Sequence, residues 1–298
     1  MHIQYVDRKT GKVESEKIYG HRALSLLYGD SWSSRLFSLF LLPLLSRIPF
    51  FSKFYGFLQK HPSSAKKIAP FVSVYGIDTS EFERSSFGSF NDFFIRKLKK
   101  EARPIVQDPR RAALPADGRY LVFPDLSHVD RFYVKGQLFD LSSFLQNGAY
   151  ARRYADGAMA IARLCPTDYH RFHFVAEGVP QKARAIEGNF QSVNPIALRK
   201  NLSILWTNKR MLTDCNTEIF GKILYVEVGA TCVGTIYQTY EVDKKVNKGD
   251  EKGYFSFGGS CLVILFEKGK IVFDSDLILN SKNGLETKGN FGESLGST

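Results

Sequence analysis

From about residue 113 onward the chain falls into short β-rich runs cut by Gly, Asn, Asp and Pro, and this spacing restricts the fold more than any other feature. The runs are Arg119–Phe123, Arg131–Val134, Ala158–Leu164, Ile223–Val228, Val233–Tyr240, Cys261–Phe266 and Lys270–Phe273. Apolar runs of that length between turn residues predict the strands of an antiparallel sandwich or barrel. The first hundred residues read differently. Ile3–Val6 is strand-like and ends at Lys9-Thr10-Gly11, after which residues 31–100 read mainly helical. Phe90, Phe93, Phe94 and Leu98 form a helical stripe that Pro104 ends. The predicted class is α+β, with a helical part over residues 1–100 and a mainly antiparallel β-sandwich or barrel over residues 101–298.

Charge separates the two parts further. The 298 residues carry 41 Lys and Arg against 30 Asp and Glu, a net charge of +11. Between Ser31 and Ile77 stand Arg35, Arg47, Lys53, Lys60, Lys66 and Lys67 and no acidic residue. The same stretch holds Trp32, Leu36, Phe37, Leu39 to Leu42, Phe50, Phe51, Phe54, Tyr55, Phe57 and Leu58. Cations among so many apolar side chains favour an anionic membrane surface over a nucleic-acid groove. The longest near-apolar run, Leu36 to Leu45, is interrupted by Ser38 and Pro43. It is about half the roughly 20 residues that span a bilayer. Asp7, Glu14 and Glu16 precede it, which is unlike a signal or transit peptide. Phe51, Phe54, Tyr55 and Leu58 share one helical face, which suits either membrane docking or packing on the protein's own core.

The four cysteines, Cys165, Cys215, Cys232 and Cys261, show no CxxC spacing and fit a reducing compartment. Hydrophobic residues at 44% and charged residues at 24% exclude a disordered chain.

Three places in the β-rich part carry groups suited to chemistry. Leu114-Pro115-Ala116-Asp117-Gly118 reads as a turn before a strand, with Asp117 either structural or catalytic. Cys165-Pro166-Thr167-Asp168-Tyr169-His170-Arg171-Phe172-His173 holds two of only six histidines. An i, i+3 histidine pair binds metal if helical, but spacing offers no third ligand. General acid–base chemistry is the better use of these imidazoles, and two satisfied surface histidines is the plain alternative. Phe257-Gly258-Gly259-Ser260-Cys261 leads a turn into a buried-looking strand. The glycines make it an ordinary β-turn, or else expose the Gly259 carbonyl to attack by the Ser260 hydroxyl.

Taken in order, these segments resemble the phosphatidylserine decarboxylases, pyruvoyl-dependent enzymes that mature by cutting themselves. The resemblance runs from about residue 90 to the end. It includes Phe93-Phe94-Ile95-Arg96-Lys97-Leu98, Glu101-Ala102-Arg103-Pro104-Ile105, Asp117-Gly118, Val134-Lys135-Gly136, Asp168-Tyr169-His170-Arg171-Phe172-His173 and Ser192-Val193-Asn194-Pro195. Val228-Gly229-Ala230-Thr231-Cys232-Val233-Gly234-Thr235-Ile236 and Lys248-Gly249-Asp250-Glu251-Lys252-Gly253-Tyr254-Phe255-Ser256-Phe257-Gly258-Gly259-Ser260 complete it. The family's cleavage motif is often Leu-Gly-Ser-Thr, and the chain ends in Leu295-Gly296-Ser297-Thr298. Cleavage there releases a dipeptide from a terminus expected to fray, so the match is read as coincidence. Gly259-Ser260 instead follows the Lys-Gly lead-in and precedes a strand, although Cys261 replaces the motif's Thr.

What the resemblance implies is specific. Asp117, His173 and Ser260 form the self-cleavage triad, and His170 is the candidate proton donor in decarboxylation. Cleavage between Gly259 and Ser260 yields chains 1–259 and 260–298, which stay together as a heterodimer. Ser260 becomes the covalent pyruvoyl group and forms a Schiff base with phosphatidylserine, giving phosphatidylethanolamine and carbon dioxide; no metal and no pyridoxal phosphate are expected. The β-rich part is then the catalytic core, and the N-terminal part docks on the membrane through Phe51, Phe54, Leu58, Arg47 and Lys53. A peripheral protein on the cytoplasmic face of a bacterial membrane follows, with a homodimer allowed and no nucleic-acid partner. The rivals are a serine hydrolase using Ser260 or Ser89, which lacks a G-x-S-x-G elbow, a basic binding module without catalysis, and a self-cleaving relative acting on another amino acid.

Overall fold

The structure, a computed structural model, describes residues 3–17, 56–127, 140–194, 197–198, 201, 203–230, 236–257 and 260–298. Its strands, in chain order, begin with β1 (Gln4–Asp7) and β2 (Val13–Ser15), the hairpin around Lys9-Thr10-Gly11. β3 (Arg111–Ala113), β4 (Gly118–Phe123), β5 (Ala158–Leu164) and β6 (Arg171–His173) follow. Next come β7 (Val179–Pro180), β8 (Arg184–Ile186), β9 (Arg210–Asn216), β10 (Lys222–Val228) and β11 (Ile236–Gln238). The last five are β12 (Glu251–Phe255), β13 (Ser260–Phe266), β14 (Val272–Phe273), β15 (Glu286–Gly289) and β16 (Ser294–Ser297).

One ten-stranded sheet runs in the order β2-β1-β15-β4-β5-β13-β10-β9-β7, with β8 also on β9. Every pair in it is antiparallel except β1 with β15. Two three-stranded antiparallel sheets, β11-β12-β6 and β14-β16-β3, complete the β structure. The architecture is mixed α+β with mostly antiparallel sheets. The expected barrel does not form among the described residues, because the large sheet ends on β2 at one side and β7 at the other.

The sequence of β13, Ser-Cys-Leu-Val-Ile-Leu-Phe, is apolar at both parities because the strand is buried on both faces. Leu262, Ile264 and Phe266 pack with Phe172, Phe255, Phe273 and Leu295, beneath the two small sheets. Cys261, Val263 and Leu265 face the opposite way, onto Phe144, Leu145, Tyr154 and Leu205 of the helices Leu141–Leu145, Gly148–Tyr154 and Ile204–Thr207. Burying an aliphatic or aromatic side chain is worth roughly 1.5–3 kcal/mol, so a strand of this composition anchors the molecule. Side chains alternate along a strand, which puts Ser260 on the same face as Leu262, below the small sheets.

Several expected runs differ in detail. The run Lys270–Phe273 pairs only over Val272–Phe273. Arg131–Val134 and residues 233–235 lie outside the described residues. The stripe of Phe90, Phe93, Phe94 and Leu98 is a helix only over Phe90–Phe94. Beyond it the chain turns back on residues 81–83: Leu98 bridges Phe82, and the Lys99 N–H reaches the Glu81 carbonyl at 2.9 Å. Tertiary pairing here overrides a helical pattern that ran on to position 98. The three phenylalanines still pack together, with Phe71, Phe82 and Phe257, into a separate aromatic cluster. That cluster fastens the helical segment to the chain just ahead of Ser260.

Leu295-Gly296-Ser297 is not frayed. It forms β16, the central strand of its sheet, and Leu295 is fully buried.

Arg47, Phe51, Lys53 and Phe54 fall outside the described residues. Leu58 falls inside them, in the helical turn 56–60, and is exposed beside Phe57.

Candidate active site

Ser260 opens β13, the strand between β5 and β10, and pairs with Leu164 of β5. Immediately after β5 the chain enters the segment that carries both histidines. That segment folds back, so the His170 carbonyl accepts from the Phe255 N–H at 3.0 Å, at the end of β12. β5 and β12 therefore bring His170 to the two stretches of backbone that flank position 260.

Ser260 and His170 are both fully buried, and Ser260 Oγ and His170 Nε2 are two of eight buried side-chain atoms among the described residues that have no hydrogen-bond partner. Buried polar groups are nearly always paired, and a reactive role is one reason for an exception; of the eight, these two carry a nucleophile and a base. The other ring nitrogen of His170, Nδ1, lies 3.0 Å from the Asp168 carbonyl. Burial, with a smaller contribution from the nearby Arg96 guanidinium, pushes the His170 pKa down to about 3. The ring is thus neutral at ordinary pH. With Nδ1–H donated to a carbonyl, the lone pair sits on the free Nε2. The Phe94 ring lies against this imidazole with centroids 3.8 Å apart and planes tilted by 33°, and it also meets Phe257.

His173 is placed differently. Its Nδ1 contacts the Gly249 carbonyl at 3.0 Å, and its Nε2 faces the Tyr169 hydroxyl at 3.3 Å. Burial holds its pKa down at about 4. Gly249 has φ +87°, a left-handed conformation that favours glycine and turns its carbonyl onto the ring. The Phe291 ring lies on the other side of His173.

Asp117 sits at the turn before β4. A Cβ at the next residue, Gly118, would lie 2.9 Å from the Arg163 carbonyl, so the Asp-Gly pair reflects close packing on β5. The Asp117 carboxylate is held by Arg103 through Nε at 3.0 Å and Nη2 at 2.7 Å, and it accepts the Phe291 N–H at 2.8 Å. The same backbone stretch takes the His173 N–H on the Pro115 carbonyl at 2.8 Å. No direct hydrogen bond joins Asp117 to His173 or His173 to Ser260 among the described residues. Asp117 reaches His173 through Phe291. Gly259 lies outside the described residues.

Sequence reasoning singled out Asp117, His170, His173 and Ser260 but gave no role to Phe291, Arg103 or Arg96. Phe291 carries no motif and is found only by its stacking. Arg103 and Arg96 stand in a run of basic residues that looks like a solvated face. Arg96 is instead buried against Phe82 and Phe93 and donates to the carbonyls of Thr167 and Asp168 at 3.1 and 3.2 Å. Burial lowers its pKa to about 10.

Among the described residues there is no cluster of three or more His, Cys, Asp or Glu side chains able to hold a metal ion. Cys165, Cys215 and Cys261 are buried free thiols.

The sequence model of a protein family described as phosphatidylserine decarboxylase matches residues 90–297. The phosphatidylserine decarboxylase proenzyme of Chlamydia caviae is 45% identical over 296 residues, covering 99% of this chain and 97% of its own. The proenzyme of the same name from Chlamydia pneumoniae is 44% identical, over 98% of this chain and 96% of its own. That of Clostridium botulinum is 42% identical over 297 residues, 99% of each chain.

Proposed function

This chain belongs to the phosphatidylserine decarboxylase family, and from that premise we propose that it matures by cutting itself at Ser260 and works through the group this leaves there. Its reaction is the decarboxylation of phosphatidylserine to phosphatidylethanolamine and carbon dioxide. The observation that carries the assignment of the site is the pair of buried atoms without partners, Ser260 Oγ and His170 Nε2, at the head of the central strand.

Maturation uses the chain's own groups. Ser260 Oγ attacks the carbonyl carbon of residue 259 while a neutral imidazole takes its proton. We assign that step to His173, whose ring is braced by Phe291 and, through it, by Asp117. The weak 3.3 Å contact of Nε2 with the Tyr169 hydroxyl gives way to the serine in this step. The amide becomes an ester. Loss of the Cα proton then expels residue 259 as a carboxylate, leaving a dehydroalanine that water converts to a pyruvoyl group and ammonia. The residues present suit such a group. Position 260 is buried, and Cys261–Phe266 remains bonded to β5 and β10 on both sides. The new terminus stays in the core, and chains 1–259 and 260–298 stay together.

The pyruvoyl group supplies an electron sink for the bond electrons released as carbon dioxide leaves. The protein's part is proton management and exclusion of water. His170 Nε2, neutral and bare, accepts the proton that the substrate ammonium sheds and returns it to the headgroup carbon after decarboxylation. Phe94, itself packed on Phe257, covers that imidazole and helps to keep water from it. No metal or pyridoxal phosphate enters this scheme.

Access to a lipid headgroup calls for a membrane surface. Exposed Phe57 and Leu58 beside exposed Lys60 support docking through the segment that contains Arg47, Phe51, Lys53 and Phe54. No helix among the described residues is long and apolar enough to cross a membrane. We infer a peripheral protein on the cytoplasmic face of a bacterial membrane.

Denaturing gels and intact mass test the cut. The parent is expected as two chains, with a carbonyl at position 260 that hydroxylamine traps. Ser260→Ala is expected as one chain without activity, and Ser297→Ala as indistinguishable from the parent. A fully active, uncut protein with an unmodified serine would reject the proposal.

A further inference from the structure

Glu16 lies far from the histidines in sequence, just past the N-terminal hairpin, yet its carboxylate is buried between two guanidinium groups. It meets Arg163 at 2.6 Å and Arg119 at 3.2 Å, with its side chain 5% exposed. Arg119 continues to the Asp168 carboxylate at 2.5 Å, where the Cys165 N–H also donates at 2.7 Å. The main-chain carbonyl of the same Asp168 receives His170 Nδ1. A route thus runs from Glu16 by an ion pair to Arg119, by a hydrogen-bonded ion pair to the Asp168 carboxylate, and through the Asp168 main chain, whose carbonyl meets Nδ1, to His170. Burial alone would push the Glu16 carboxyl up, but Arg163 and Arg119 hold it below its ordinary range.

The route has mechanical consequences. Charges this deep in a protein persist only when paired, so each partner's position depends on the next. His170 is held through one ring nitrogen to one carbonyl, and the ring is only as fixed as that carbonyl. Arg96 steadies the carbonyl from one side at 3.2 Å, and the carboxylate of the same residue is tied to Arg119 on the other. Partners behind a reacting group commonly set its orientation and tautomer.

We propose that Glu16 is a positioning residue for decarboxylation: through Arg119 and Asp168 it fixes the ring of His170, so that the N-terminal strand region takes part in setting the active site. This rests on the proton-transfer role given to His170 above. Glu286 provides an internal contrast. It holds the same Arg163 at 2.6 Å but makes no contact with Arg119 or Asp168 among those observed.

The test compares the self-cleaved forms of Glu16→Gln, Glu16→Asp, Arg119→Lys and Glu286→Gln on phosphatidylserine in detergent micelles, with melting temperatures measured in parallel. Glu16→Gln and Arg119→Lys are expected to lower kcat roughly tenfold or more, as displaced catalytic groups do, with KM within about twofold. Glu16→Asp recovers part of the loss. Glu286→Gln loses thermal stability as Glu16→Gln does but retains the parent kcat. Parent-like kcat in both Glu16→Gln and Arg119→Lys overturns the proposal, and so does an equal loss of kcat in Glu286→Gln. If Glu16→Gln does not fold, Arg119→Lys decides in the same way. A parent protein that neither cuts itself nor releases carbon dioxide overturns the proposed function instead.

Discussion

The ring of Phe291 lies flat against the imidazole of His173, with centroids 3.7 Å apart and planes 11° from parallel. The Phe291 N–H is held by Asp117, whose charge is in turn clamped by Arg103. Arg103 is stabilised in its charged form, because its pairs with Asp117 and Glu81 outweigh the burial that would deprotonate it. An acid, an aromatic ring and an imidazole thus form one mechanical unit without a hydrogen bond between acid and base.

That unit predicts a graded series. Asp117→Asn removes the charge that holds both Arg103 and the Phe291 backbone, and self-cleavage is expected to slow by roughly a hundredfold, as for a displaced catalytic group. Phe291→Leu keeps an apolar side chain but loses the stacked plane, and a slowing of roughly tenfold is expected. Band intensities on a time-course gel measure both. Parent-like cleavage by Asp117→Asn would remove Asp117 from the mechanism.

The two histidines are expected to separate. His173→Ala stays uncut. His170→Ala cuts but decarboxylates poorly, because only His170 offers a bare Nε2 for the substrate proton. Gel mobility reports the first step and released carbon dioxide the second. An uncut His170→Ala that His173→Ala outpaces would exchange the two roles.

Acid is expected to weaken the fold before it titrates most carboxylates. Both imidazoles have folded pKa values depressed by burial, to about 3 and about 4. Below the ordinary value near 6.5 the unfolded chain binds their protons and the folded chain does not. Stability is therefore complete above that value and declines as pH falls toward the folded values. Each histidine contributes about 1.4 kcal/mol per pH unit to the decline. Urea midpoints between pH 7 and pH 5 measure the slope, and His170→Gln is expected to make it shallower. A slope unchanged by that substitution would contradict the buried, neutral state of the ring.

Membrane docking predicts that Phe51→Ser, Phe54→Ser and Leu58→Ser together weaken binding to phosphatidylserine vesicles by roughly tenfold or more, from the apolar area withdrawn from the interface. Co-sedimentation measures this. Unchanged binding would assign the segment's apolar face to the protein's own core.

Much of the β structure was legible. Ala158–Leu164, Ile223–Val228 and Cys261–Phe266 announced themselves because a strand buried on both faces is apolar at nearly every position, with only Arg163 and Glu227 interrupting these three. Strands such as Glu251–Phe255 and Arg171–His173 did not, because they mix charged and aromatic residues and owe their existence to partners far along the chain. The helix at Phe90–Phe94 was visible as a stripe, but its end was not, since a bridge between Leu98 and Phe82 decided it.

By itself the sequence determined the antiparallel character of the fold, the family, and which side chains have the chemistry to act: a serine after two glycines, two histidines beside an aspartate, an Asp-Gly turn. Those follow from residue type and local spacing, which a linear chain states directly. Only the tertiary structure decided that Ser260 Oγ and His170 Nε2 are buried without partners, that Asp117 reaches His173 by way of Phe291, and that Glu16 connects to His170 through buried ion pairs and the main chain of Asp168. Burial and pairing depend on what folds over a residue, and here the covering groups come from segments tens to hundreds of positions away.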